Sequence, residues 1–137
     1  FYSDAYNRRG AAKKEINDFT GAIEDYLKAI EIDPNCKYAY FNLGFLKQQF
    51  KDYEGAIKDY SKAIEIDQNF AEAFNNRGVI KFELKDFDGA NKDYCCAADL
   101  DPNFCYELAK RGFSKLNVVN WDEIDNDWQL YERFTEH

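Results

Sequence analysis

KDYEGAIKDYSKAIEID occupies residues 51–67. The chain reads NDFTGAIEDYLKAIEID at 17–33 and KDFDGANKDYCCAADLD at 85–101, each 34 residues away. A fixed period of that size marks stacked supersecondary units. Numbering positions 1–34 from Ser3, Lys37, Ala71 and Cys105 places all seven glycines in two positions. Gly10, Gly44, Gly78 and Gly112 take position 8; Gly21, Gly55 and Gly89 take position 19. Alanines recur at position 20 (Ala22, Ala56, Ala90) and position 27 (Ala29, Ala63, Ala97), and Tyr26, Tyr60 and Tyr94 share position 24.

Two antiparallel helices per unit explain these choices. Glycine inside a helix costs about 1 kcal/mol relative to alanine. Its recurrence at position 8 therefore predicts close approach by a neighbouring helix, with the alanines as partner surface. The aromatics at position 17 (Phe19, Tyr53, Phe87) and position 24 are expected to fill the gaps beside these small residues. Asp18, Asp52 and Asp86 are placed to cap the second helix. Asp-Pro-Asn at 33–35 and 101–103 ends it, because a proline disfavours helical geometry in the residue before it. The second unit has Gln68 instead and must turn without that aid.

These residues resemble the tetratricopeptide repeat (TPR), with its aromatic at 4, Leu at 7, Gly at 8, Ala at 20, aromatic at 24, Ala at 27 and Pro at 32. Tyr40, Leu43, Gly44, Ala56, Tyr60 and Ala63 follow the pattern in the second unit; Phe74, Gly78, Ala90, Tyr94, Ala97 and Pro102 follow it in the third. Arg9 and Arg77 depart from it at position 7. The wording NRG and GAIxDYxKAI is similar to bacterial arrays. The implied fold is all-α, a right-handed α-solenoid of antiparallel helix pairs forming one domain over 1–137. Its repeats would be 3–36, 37–70 and 71–104, followed by a degenerate fourth unit over 105–137. There, Trp121, Ile124, Trp128 and Tyr131 make one helix side, read as a cap that seals the stack.

The resemblance also implies that the first helices line a concave groove. Candidate partner-binding residues are Asn7 and Arg8 in the first unit, then Tyr38, Phe41, Asn42 and Phe45 in the second. The third offers Asn75, Asn76 and Phe82, and the fourth Tyr106, Lys110 and Phe113. A side-chain amide both donates and accepts, so Asn42 and Asn76, at one position in successive units, can hold a peptide backbone irrespective of its side chains. The phenylalanines would supply apolar contact area. One TPR subfamily grips the C-terminal carboxylate of heat-shock chaperones with a cradle of Lys, Asn and Arg. The matching positions here hold Asn7, Ala11, Asn42, Glu72 and Asn76, or Phe41, Phe45, Asn76, Tyr106 and Lys110 in the next register. The cationic cradle is missing, so binding of such a tail is not expected.

Composition narrows the alternatives. The net charge is -8, which disfavours nucleic acid and anionic membrane surfaces. Arg8, Arg9, Lys13 and Lys14 form the one basic excess and read as a solvated terminal helix, the alternative being a contact for an acidic partner. No apolar run is long enough for a spanning helix. The only histidine is His137 and the glycines are accounted for by the repeat, which argues against base-activated nucleophiles and phosphate loops. Asp and Glu recur at positions that cap helices or face water. Cys36, Cys95, Cys96 and Cys105 lack CxxC spacing, so neither a metal nor a cofactor is expected. The expectation is a non-catalytic, monomeric adaptor for a protein or peptide. The alternative is a self-assembling or spacer module, which light scattering across concentration separates from it. The chain contains no methionine and is read as a processed form or excised segment, with a cytoplasmic location favoured and export left open.

Overall fold

The computed structural model describes residues 2–104. They form six helices: α1 (Tyr2–Glu15), α2 (Phe19–Ile32), α3 (Lys37–Gln49), α4 (Tyr53–Ile66), α5 (Ala71–Glu83) and α6 (Phe87–Leu100). These are the three predicted pairs; the capping helix and the other readings on 105–137 lie outside the described residues.

The turn within each pair is built the same way. Asn17, Lys51 and Lys85 adopt left-handed backbone with φ of 62°, 62° and 64°. This lets Asp18 N–H reach back to Lys13 O at 2.9 Å and Asn17 N–H to Lys14 O at 3.0 Å, satisfying carbonyls at the helix end. The next residue is the capping aspartate. Asp18, Asp52 and Asp86 each accept from the N–H three residues on, at 3.0 Å. That residue is always the position-19 glycine. A Cβ on Gly21 would stand 2.3 Å from Asp18 Oδ2, so the cap and the glycine require each other.

Between units, Asp33, Asp67 and Asp101 leave the helix in extended conformation. Each side chain accepts from the N–H two residues on, at 3.0 Å. Asp67 (φ -134°, ψ 101°) superposes in torsion on Asp33 (φ -133°, ψ 100°), although Gln68 replaces proline. The aspartate, not the proline, therefore shapes this turn. Because the backbone already fits, Gln68→Pro should stabilise by about 0.5–1 kcal/mol by restricting the unfolded chain. An unchanged or lower denaturation midpoint would contradict that.

Packing within a pair centres on the tyrosine at position 24. Tyr26 and Tyr60 are fully buried and Tyr94 nearly so. A Cβ on Gly44 would meet the Tyr60 ring at 3.1 Å and Ala56 O at 3.3 Å, so glycine admits both a ring and a backbone carbonyl. The expected close approach is present, and its nearest partner is the tyrosine ring. The position-17 aromatics fill less than expected: Phe19 and Tyr53 are half-buried and Phe87 is exposed. They stand at the turn, where no later element covers them fully.

Successive pairs stack through α2 on α3 and α4 on α5. In addition α1 packs along α3 and α3 along α5, with no comparable contact between α2 and α4 or α4 and α6. The first helices are thus closer together, as on the inner wall of a curved stack.

Candidate functional site

The inner wall carries three tiers of side chains, one from each odd-numbered helix. Its middle strip holds the amides. Asn42 Nδ2 donates to Asn7 Oδ1 at 2.9 Å, linking the first and second pairs. Asn76 Nδ2 instead approaches the Tyr60 hydroxyl at 3.4 Å, and that hydroxyl donates to Gln48 Oε1 at 2.8 Å. Both asparagines are half-buried, as are Asn7 and Asn75. The Asn7–Asn42 bond uses one donor group and one acceptor, leaving Asn7 Nδ2 and Asn42 Oδ1 without a protein partner among the described residues. Asn75 makes no side-chain hydrogen bond there.

The aromatic candidates divide. Phe41 lies 5.0 Å from Phe70 and 5.5 Å from Tyr60, so its ring serves the interface between pairs more than the open wall. Tyr38 is exposed and meets Phe70 edge-on at 5.6 Å. Phe45 is half-buried with the Lys14 ammonium 4.8 Å from its ring centre. Phe82 is half-buried against Phe87 at 5.4 Å. Arg8 is exposed. Tyr106, Lys110 and Phe113 lie outside the described residues.

The cations flanking the wall are mostly committed to the fold. Arg9 grips Asp25 through two bonds of 2.7 and 2.6 Å, with Lys13 at 3.0 Å from the same carboxylate. Arg77 grips Asp93 at 2.8 and 2.6 Å and also donates to Ser61 Oγ at 3.1 Å, with Lys81 at 3.0 Å from Asp93. Lys37 pairs with Asp67 and lies over the rings of Tyr38 and Phe70. The N-terminal basic excess is therefore not a freely solvated face; Arg8 alone in it has no ion pair among the described residues.

These pairs overturn one expectation. Asp25 and Asp93 are neither caps nor solvent-facing; both are buried. Arg9 at hydrogen-bonding distance holds the Asp25 carboxyl at about 2, below the usual carboxylate range. The second pair has Leu43 where the others have arginine, so Asp59 has only Lys47 among the described residues. Lys47 is 2.7 Å from Asp59 Oδ2, yet this oxygen lacks a well-directed hydrogen bond among the described residues. Burial pushes Asp59 upward despite Lys47. The signal was present in the sequence: Arg9 and Arg77 break the leucine position, and an aspartate follows each 16 residues later.

A second feature, not expected from the sequence, stands just past the end of each odd-numbered helix. Ile16, Phe50 and Leu84 occupy one position of the period and are exposed by 76%, 60% and 52%, giving an apolar row along one edge. Among the described residues no group of His, Cys, Asp and Glu could hold a metal ion, and no helix is long and apolar enough to cross a membrane.

Paired helices at a fixed period, nested through glycine on tyrosine, define a helical-repeat protein with an open inner wall. Family models for the tetratricopeptide repeat match residues 3–36, 25–58 and 71–104, and a TPR repeat model matches 51–85. The chain belongs to the TPR family. The six described helices, in paired TPR arrangement, also overlay on solved structures. The first TPR of Spaghetti (RPAP3), bound to the HSP90 peptide SRMEEVD, is 24% identical with a TM-score of 0.73, covering 80% of this chain and 89% of that one. The second TPR of the same protein, bound to the same peptide, is 25% identical with a TM-score of 0.69, covering 73% and 93%. The Arabidopsis OM64 TPR domain is 23% identical with a TM-score of 0.73, covering 80% and 93%. Comparison with curated proteins gave no match.

Proposed function

We propose that the inner wall binds an extended peptide or a helix of a partner protein, making the chain a non-catalytic adaptor. The observation that carries this reading is the amide strip. Among the described residues, Asn7, Asn42 and Asn75 together retain unpaired donors and acceptors on half-exposed side chains. Such groups suit a peptide backbone, which offers one donor and one acceptor at each residue. Phe45 beside the strip, and Tyr38 at its border, supply apolar surface for the guest's side chains. A solved TPR domain of the same fold holds a peptide, which supports peptide binding by this chain.

The chaperone tail is not the proposed guest. Glu72 stands at a position where the tail-binding subfamily keeps a cation, and the nearby Lys37 is engaged by Asp67.

The double substitution Asn42→Ala and Asn76→Ala tests the strip. Affinity for a co-purifying partner should fall about tenfold, the loss of roughly one net hydrogen bond. Removing the bonds to Asn7 and Tyr60 should lower stability by about 1 kcal/mol with helical circular dichroism retained. Undiminished affinity would remove the asparagines from the binding face.

A further inference from the structure

The charges bordering the amide strip have a consistent sign. Position 2 of the three described units holds Asp4, Tyr38 and Glu72; position 13 holds Glu15, Gln49 and Glu83. All six side chains are exposed. Neither row contains a cation. On a helix these positions are eleven residues apart, about 16 Å along the axis, with the amides and Phe45 between them. The wall is therefore a polar and apolar floor between two acidic rails.

The neighbouring cations do little to cancel those rails. Arg9, Lys13, Lys47, Arg77 and Lys81 neutralise the buried aspartates. Lys37 is held by Asp67, though Glu72 lies within its field. Lys14 partly offsets Glu15 at 3.7 Å. Asp4 and Glu83 make no ion pair among the described residues. Arg8 is the remaining uncommitted cation of the floor among the described residues.

We infer that the guest is a cationic peptide, bound extended across α1, α3 and α5, with Lys or Arg side chains reaching the two rails. Alternate side chains of an extended chain point to opposite sides. A backbone lying on the amide strip thus sends them toward opposite rails. Lysine and arginine have the length to reach outward while their stems stay on the apolar floor. Tyr38, midway along one rail, adds exposed aromatic surface for such a stem, although Lys37 already lies over its ring. An acidic peptide would instead meet carboxylates along both borders. This inference rests on the groove reading above and adds the chemistry of the guest.

The test uses the whole chain and a random peptide library without imposed charge. Selected sequences should be net positive. The best of them should lose about tenfold in affinity for a Glu72→Lys, Glu83→Lys variant, equivalent to about 1.4 kcal/mol over two exposed charge reversals. Its affinity should also fall as salt is raised. Exposed charge changes should leave the thermal midpoint nearly unchanged, which separates lost contact from lost fold. Neutral or acidic selected peptides, SRMEEVD binding as tightly as the cationic peptide, or affinity indifferent to the rail variant would each overturn the inference. If such peptides still lose affinity on Asn42→Ala and Asn76→Ala, the groove itself stands. If they bind that variant unchanged, or if no peptide is selected, both readings fall.

Discussion

Tyr60→Ala is expected to cost about 4 kcal/mol of stability, in the upper range for deleting a buried aromatic side chain. Tyr60 has no exposed surface. Its ring fills the space that Gly44 leaves on α3, and Phe41 stacks against it at 5.5 Å. Its hydroxyl bonds Gln48 and receives Asn76 from the third pair. One side chain thus serves its own helix pair and the coupling to the next. In a stack where each unit leans on its neighbours, loss at the middle weakens both junctions. Guanidinium denaturation should show a lower midpoint, with the outer pairs beginning to melt separately. The hydroxyls provide an internal control. Tyr60→Phe should cost about 1 kcal/mol, since it breaks a made bond. Tyr26→Phe should be neutral or slightly stabilising, because the Tyr26 hydroxyl is buried without a partner among the described residues. Burial raises the Tyr26 phenol to about 12. Equal effects of the two Phe substitutions would mean that the hydroxyl contacts described for Tyr60 contribute nothing.

Whatever depends on one residue type at one spacing is legible in the sequence. Position-8 glycines, position-20 alanines and position-16 aspartates each have one physical task, and repetition at 34 residues exposes it. The helix pairs and caps followed directly. What depends on partners in different units was harder. Asn42 and Asn76 occupy the same position, yet one bonds Asn7 and the other Tyr60. The difference comes from their surroundings: Asn7 faces Asn42, whereas Phe41 takes the corresponding place before Asn76. Phe41 read as wall surface because periodicity gives direction but not depth, and Phe70 from the inter-unit turn closes over it. The buried aspartates were missed for a related reason. A carboxylate reads as solvent-facing until a guanidinium 16 residues away is recognised as its partner.

Asp93→Ala should be nearly as damaging as losing Tyr60, at about 3 kcal/mol, because it strands charge in the interior. Asp93 has a side-chain exposure of 4%, and its partners Arg77 and Lys81 are only 17% and 22% exposed. Removing the carboxylate leaves two cations in poor contact with water. Asp59→Ala makes the comparison, and it should cost under about 1 kcal/mol. Leu43 denies Asp59 an arginine, Lys47 is 38% exposed and can turn to water, and burial already disfavours the Asp59 charge. The same contrast sets the acid response. Folding lowers the Asp25 carboxyl from 3.8 to about 2, chiefly through Arg9. Its contribution is complete above the unfolded value and is lost as pH falls from about 4 toward 2. Asp59 is raised, so its sign is opposite: acid relieves a penalty that the ionised form carries at neutral pH. Asp25→Asn should therefore flatten the acid limb of the stability profile while lowering the neutral plateau. Asp59→Asn should hold or raise the plateau. Stability measured between pH 7 and pH 2 decides this, and identical profiles for the two variants would show that the arginine, present in one pair and absent from the other, does not control the charge of the buried carboxylate.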